Sequence, residues 1–297
     1  MSVEPSSSPL PPILPQGGSK WAKFFAGPKS VQVSGPDIVA LASATVQPDG
    51  SVTTDGAADE RDMAVFPIAA GEKIGLGRFI TGALAAFAHN RPAAVCCGAP
   101  LTRRQAEVLE AISVLDVYIT LAASARFRTV FNAAPGGVPG PHIRALADLL
   151  RRPAPSAGTR IAILPVRERE KFSLVNRASL TAWLRAKKIM AIEPEVMKLT
   201  ALAECLAAAS MVVLADPEQA GLLGLCSPGC KILEIAPEGW LGAEARCVSA
   251  HFGLEWVPFL AAPPSYPLLG TLPFGALVPL SYEIPIRALG KTLDSLG

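Results

Sequence analysis

Aromatic side chains and charge are both scarce in this chain of 297 residues. Phe, Trp and Tyr make up 6% of it, and Asp, Glu, Lys and Arg 18%, against the roughly 25% charged residues usual in soluble domains. Its 27 basic and 25 acidic residues nearly cancel, leaving a net charge of +2 with no basic face or run. That excludes the electrostatic footprint of a nucleic-acid binder, so no nucleic-acid partner is expected. The short basic groups Arg103-Arg104, Arg151-Arg152 and Arg185 to Lys188 read as solvated helix edges. Histidine is rarer still: His89, His142 and His251 do not fall at ligand spacing from Cys226-x3-Cys230, so no metal site is expected. Neither G-x-G-x-x-G nor G-x-x-x-x-G-K-[ST] follows a strand-like segment, which disfavours a nicotinamide-dependent oxidoreductase and a P-loop enzyme. A G-x-S-x-G elbow is also missing.

The opening MSVEPSSSPLPPILPQGGSK has neither the basic start nor the apolar core of a secretory signal, so a cytoplasmic protein with reduced thiols is expected. Residues 1–20 read as a flexible tail, because Ser, Pro and Gly bury too little apolar surface to offset ordering. From Trp256 to Tyr282 no side chain is charged. That length suffices to cross a bilayer, but Pro258, Pro263, Pro264, Pro267, Pro273 and Pro279 break any helix. The stretch 256–282 reads as an extended loop, with a peripheral contact at the inner membrane face or a protein partner left open.

Half the residues are apolar, enough for two cores. In the first half, 37–45, 62–68, 93–97 and 116–121 read as strands, and 78–89 and 103–113 as helices. A Gly- and Pro-dense stretch at 132–142, a helix-like 143–152 and the breakers of 153–158 place a domain boundary there. The domains are therefore 21–152 and 159–275, with a terminal segment and helix at 276–297. From 159 onward strands alternate with single helices: strands at 159–166, 189–194, 211–215, 230–237 and 254–260, helices at 176–188, 199–209, 218–226 and 241–252. Single-helix crossovers imply a parallel, doubly wound α/β sheet whose ligand crevice lies beyond the carboxyl ends of the strands. The loops at those ends hold Arg167, Arg169, Glu195, Asp216 and Glu218. The two arginines suit a diphosphate through paired, permanently charged donors, or they form surface ion pairs with Glu168 and Glu170.

Residues 160–260 contain an ordered series: a strand ending in Arg167, Asn176 opening a helix, a strand ending in Pro194-Glu195, a helix with Glu204, a loop at Asp216–Gly221, and Ser227-Pro228-Gly229 leading into a strand with Glu234. Together with Gly77-Arg78-Phe79-Ile80-Thr81 upstream, this order resembles glycosyltransferase family 61, the group of bacterial capsular-polysaccharide-type transferases, from about residue 60 onward. The resemblance implies a GT-B-like architecture, two Rossmann-like doubly wound domains facing a cleft, with the first on the acceptor side and the terminal helix packing back on it. It implies inverting transfer from a nucleotide sugar to a cell-surface polysaccharide or lipid-linked glycan, without metal or other cofactor. Carried over, Arg167 and Arg169 contact the donor diphosphate, Asn176 and Glu195 shape the donor pocket, and Gly229 lets the backbone approach before the strand of Glu234.

Two departures stand out. Asp216 to Gly224 replaces the family's His-Gly-Ala stretch, and Arg78 replaces the usual histidine of the first-domain helix. With those imidazoles gone, Asp216 or Glu218 is left as the catalytic base. Read instead from local chemistry, Asp216, Pro217 and Glu218 simply start a helix as cap, first-turn proline and first-turn acid. The altered positions leave a second function open, a catalytically degenerate relative acting as a binding or scaffold subunit.

Overall fold

The computed structural model describes residues 16–17, 38–54, 60–72, 74–88, 93–111, 118–133, 158–165, 172–237, 244–261 and 280–296. Arg167, Arg169, all but Gly158 of the expected boundary at 153–158, and most of the proline-rich stretch lie outside them. Among the described residues the chain is an α/β protein with two six-stranded sheets and a two-stranded pair. Strand β1 (Gln16–Gly17) comes from the expected tail and adds to the second sheet. The first sheet contains β2 (Ile38–Val46), β3 (Val52–Thr53), β4 (Glu60–Ala69), β5 (Ala93–Cys97), β6 (Tyr118–Thr120) and β7 (Ala125–Ala133). Helix α1 (Leu76–Ala88) joins β4 to β5, and α2 (Arg103–Ala111) lies between β5 and β6.

This first sheet has the order β3-β2-β7-β4-β5-β6. The pairs among β7, β4, β5 and β6 are parallel, but β2 runs antiparallel to both β3 and β7. The sheet is thus mixed, where a wholly parallel one was expected. Its cause is local: Gly50, at φ +87°, donates to the Gln47 carbonyl at 2.9 Å, and a turn this tight can only reverse the chain. Parallel strands need a crossover helix, which α1 and α2 supply on the other side of β4.

The second sheet is parallel throughout. It is built from β8 (Thr159–Ile163), β10 (Met190–Ile192), β11 (Ala209–Leu214), β12 (Lys231–Pro237) and β13 (Glu255–Ala261), in the order β1-β13-β12-β11-β8-β10. The crossovers are α3 (Arg177–Ala186), α4 (Leu199–Ala207), a 3-10 segment at Pro217–Leu225 and α5 (Glu244–Phe252). Because the chain winds from β8 out to β10 and then back to β11, the order reverses between β8 and β11. In an open parallel sheet that reversal leaves a crevice at the carboxyl ends. A small parallel pair, β9 (Phe172–Leu174) with β14 (Leu280–Tyr282), precedes the terminal helix α6 (Ile286–Leu296).

Strand alternation separates two apolar layers. Ile161, Ile163, Val212 and Ile232 face a layer that also holds Phe66, Leu76, Phe79, Ile80, Val108 and Leu109, so one core joins the two sheets through α1 and α2. Ala162, Val213, Leu233, Ile235 and Phe259 face the opposite layer with α3 and α6. The terminal helix therefore packs on the second domain, contrary to the expectation that it returns to the first. Leu289 and Leu293 lie one turn apart and meet Leu180 and Leu184 of α3, which have the same spacing. Lys187 to Asp294 at 3.6 Å and a bond from Lys231 Nζ to the Leu296 carbonyl fasten that helix further.

Between the two sheets, α1 and the 3-10 segment touch backbone to backbone. A Cβ on Gly77 would lie 2.6 Å from Gln219 Cα, and one on Gly221 would lie 2.4 Å from the Gly77 carbonyl oxygen. Both obstacles are backbone, which has little room to yield. Gly221→Ala should cost about 1–3 kcal/mol, read as a lower urea midpoint at unchanged m; an unaltered midpoint would contradict this interlock.

Candidate functional site

The candidate site is assembled where α1 of the first domain begins. A helix starts with backbone N–H groups that have no partner inside it, and the α1 sequence offers them little, since its first turn has no acidic residue and Gly75 stands at the cap position. Partners come from the second domain. Gly75 N donates to Glu218 Oε2 at 3.3 Å, and Gly77 N donates to Gln219 Oε1 at 2.9 Å. Arg78 donates to Glu218 Oε1 at 2.9 Å, so the carboxylate also forms an ion pair. Its charge sits at the positive end of α1, where it is favourable. The Gln219 amide, fully buried, donates its other side to Glu195 Oε1.

Asp216 holds this arrangement from behind. It is 2% exposed, has extended backbone, and accepts the Glu218 backbone N–H at 3.1 Å, capping the 3-10 segment with Pro217 in its first turn. Asp216, Pro217 and Glu218 do start a helix, although one of 3-10 type. Thr81, one turn along α1 from Gly77, donates to the Gly77 carbonyl at 3.1 Å and lies 3.2 Å from Glu244 Oε1. Burial pushes the Glu244 carboxyl up, while the Thr81 bond and the charge of Arg78 oppose that rise.

A second cluster lies at the β8 and β11 carboxyl ends, where the strand order reverses. Tyr282 donates its hydroxyl to the Ala215 carbonyl at 3.0 Å; burial pushes its pKa well above the usual phenol range, and the neighbouring Asp216 adds to that rise. Asn176 opens α3 without capping it through its side chain. Its amide instead grips the backbone of Ile284 twice, donating to the carbonyl at 2.7 Å and accepting from the N–H at 3.2 Å. Arg177 donates to the Pro165 carbonyl and lies 3.8 Å from Glu193. The chain's own residues after β14 thus occupy this end of the sheet.

Glu234 is buried in the middle of β12 and accepts from Trp256 Nε1 at 2.7 Å. Burial raises its carboxyl to about 8, with the Trp256 bond opposing. The Arg246 guanidinium lies over the Trp256 ring at 5.5 Å. Gly229, at φ +81°, is exposed at the amino end of β12, opposite the crevice, and its N–H donates to the Gly253 carbonyl at 2.8 Å. It serves a turn there, and it stands apart from the other expected donor-site residues. Among the described residues no three His, Cys, Asp or Glu side chains are grouped to hold a metal ion.

The structure therefore brings Arg78, Glu195, Asp216 and Glu218 to one seam, places Asn176 beside it at the sheet end, and buries Glu234 in the sheet. Gln219, Glu244, Thr81, Arg177 and Tyr282 belong to the same region and were not expected. A second link between domains also differs from expectation. Arg104, read as solvated, has a side chain only 11% exposed; it pairs with Glu107 and donates to the Val196 carbonyl at 3.0 Å. A surface hollow of about 610 Å³ beside this link is lined by Arg103, Glu107, Glu110, Ala111, Lys198, Leu199 and Thr200.

Chemically, the seam binds itself. Both oxygens of Glu218 are engaged by α1, and Asp216 is buried in the cap of the 3-10 segment. No family model matches the chain, and no curated protein matches it. Among solved structures it is similar to a D-isomer specific 2-hydroxyacid dehydrogenase from Xanthobacter autotrophicus, 14% identical over 76% of this chain and 90% of that one, with a TM-score of 0.23. The architecture rests on the strand order given above.

Two outcomes follow from the carboxylates. Glu218→Ala strips a partly buried ion pair and a cap, and should cost about 1–2 kcal/mol in chemical denaturation; a change within error would contradict the capping role. Glu234 is protonated in the folded state up to about pH 8, against 4.5 for its ordinary value. Between those values the folded protein holds a proton that the unfolded chain has released, so stability falls as pH rises. Glu234→Gln should flatten the decline from pH 5 to pH 9 by on the order of a few kcal/mol; equal slopes in the two proteins would contradict it.

Proposed function

We propose that this chain is a glycosyltransferase-like protein of the GT-B type whose catalytic centre has been given over to holding its domains together, and that it works as a binding or scaffold subunit. One observation carries this reading: Arg78, at one position that departs from the family 61 pattern, forms an ion pair with Glu218, inside the other departing stretch. Two replacements distant in sequence meet in space and compensate each other. Glu218 also cancels the positive charge that Arg78 would otherwise offer a departing diphosphate. The protein partner or membrane surface expected for the uncharged stretch 256–282 fits such a subunit, and no described helix is long and apolar enough to cross a membrane.

The active inverting transferase is the second reading, favoured by the position of Asp216 and Glu218 immediately after the carboxyl end of β11, where an open sheet presents its ligand. In that reading a nucleotide sugar binds through Arg167 and Arg169 without metal, and a glycan or lipid-linked acceptor enters beside α1. Calorimetry against UDP, GDP, CMP and their common sugar conjugates separates the two. A scaffold subunit gives no saturable heat and persists in a complex with a protein partner. Saturable binding that weakens at least about 10-fold in Arg167→Ala, together with sugar transfer by the purified monomer, would overturn the proposal.

A further inference from the structure

The fold sets Cys226 and Cys230 at the two ends of one turn, between the 3-10 segment and β12. Cys226 ends the 3-10 segment, its N–H donating to the Leu223 carbonyl at 3.0 Å, and Cys230 opens into β12. Between them the chain makes a turn, Cys230 N donating to the Ser227 carbonyl at 3.2 Å, with Gly229 at φ +81°. Both thiols are buried in the same core cluster at the two ends of this turn, and Cys230 Sγ lies 3.8 Å from the Lys231 carbonyl. Pro228 and Gly229 at the tip of the turn are exposed, and nothing lies within 4 Å of where a Gly229 Cβ would stand, so the turn itself borders solvent.

We propose that Cys226 and Cys230 form a redox-active dithiol that closes to a disulfide on reaction with a peroxide and reopens with thiol reductants. Closure needs movement only within the five-residue turn, because both cysteines sit at the ends of that one turn and in the same core cluster. A loop this short removes little entropy from the unfolded chain, so the bond adds little stability and remains reducible. The two sulfurs are not equivalent. The Cys226 side chain pulls the Cys230 thiol down, and Cys230 in turn pushes the Cys226 thiol up, which makes Cys230 the attacking sulfur.

In the reaction the Cys230 thiolate attacks one peroxide oxygen, the O–O bond breaks, and the departing hydroxide takes a proton to leave as water. Cys226 sulfur then attacks the sulfenic acid so formed. The S–S bond forms, the Cys226 proton and the sulfenic hydroxyl leave as a second water, and the two electrons lost by the sulfurs reduce the peroxide. The 3-10 segment that ends at Cys226 begins with the side chains that cap α1, so closure fastens the far end of the element that joins the domains. This inference is independent of the function proposed above.

Cys205 of α4 is the competing thiol, since it is less buried and close enough to act electrostatically on Cys226. The full-length protein and a Cys205→Ala variant are treated with equimolar hydrogen peroxide, denatured, alkylated and mapped by peptide mass, before and after dithiothreitol. In both proteins Cys226 and Cys230 should escape alkylation, the peptide 199–231 should lose two hydrogens, and dithiothreitol should restore both sites. Cys230→Ala, which keeps the small apolar volume, should abolish that loss. Alkylation of Cys226 and Cys230 after peroxide in the folded wild-type protein would overturn the proposal, as would a disulfide that disappears in Cys205→Ala or oxidation confined to Cys205.

Discussion

The structure depends on how α1 obtains partners for its first amides. The helix has no acidic residue in its first turn and a glycine at its cap, so alone it would leave those donors to water. Two adjacent side chains of the second domain, Glu218 and Gln219, accept from Gly75 and Gly77. They reach that far only because Gly77 and Gly221 carry no Cβ where the backbones cross. Asp216 sets the start of the segment that presents them. Remove any one of these conditions and the others lose their purpose, which is why local sequence in both halves of the chain agrees on this one contact.

The same contact shows what the carboxylates read as catalytic in the sequence hold in the fold. Carboxylates at the carboxyl ends of parallel strands are favoured positions for chemistry because the loops there are free to address a ligand. Here they address another helix. Buried polar groups must be satisfied, and at this seam Glu218, Gln219, Glu195 and Thr81 satisfy groups of both domains within one continuous apolar core. The raised carboxyls of Glu234 and Glu244 record the cost of burying acids there.

Much of the second domain was legible in the sequence. Its strands are short apolar runs separated by single helices, and burial on both faces follows from that pattern, as Ile161, Ala162 and Ile163 illustrate. The first domain was less legible. Strand β7 is absent from the sequence expectation although Arg126 and Arg128 alternate with Ala125 and Phe127, because it runs on into Gly- and Pro-dense residues that signal a loop. Strands β9 and β14 are three residues each and pair only across a long separation, beyond the reach of periodicity. The 3-10 geometry of Pro217–Leu225 and the docking of α6 on α3 are set by tertiary contacts. At the site, residue types at strand ends were visible, but their partners were not. Nothing in the spacing of Arg78 and Glu218, 140 residues apart, announces an ion pair.

Native-state hydrogen exchange at the start of α1 tests the central claim most directly, because exchange there reports whether the seam opens independently of the sheets. If second-domain side chains cap this helix, the amides of Gly75 and Gly77 should be protected to the same free energy as the central amides of β4 and β11. Exchange at those two glycines that is orders of magnitude faster, with both sheets still protected, would contradict the account.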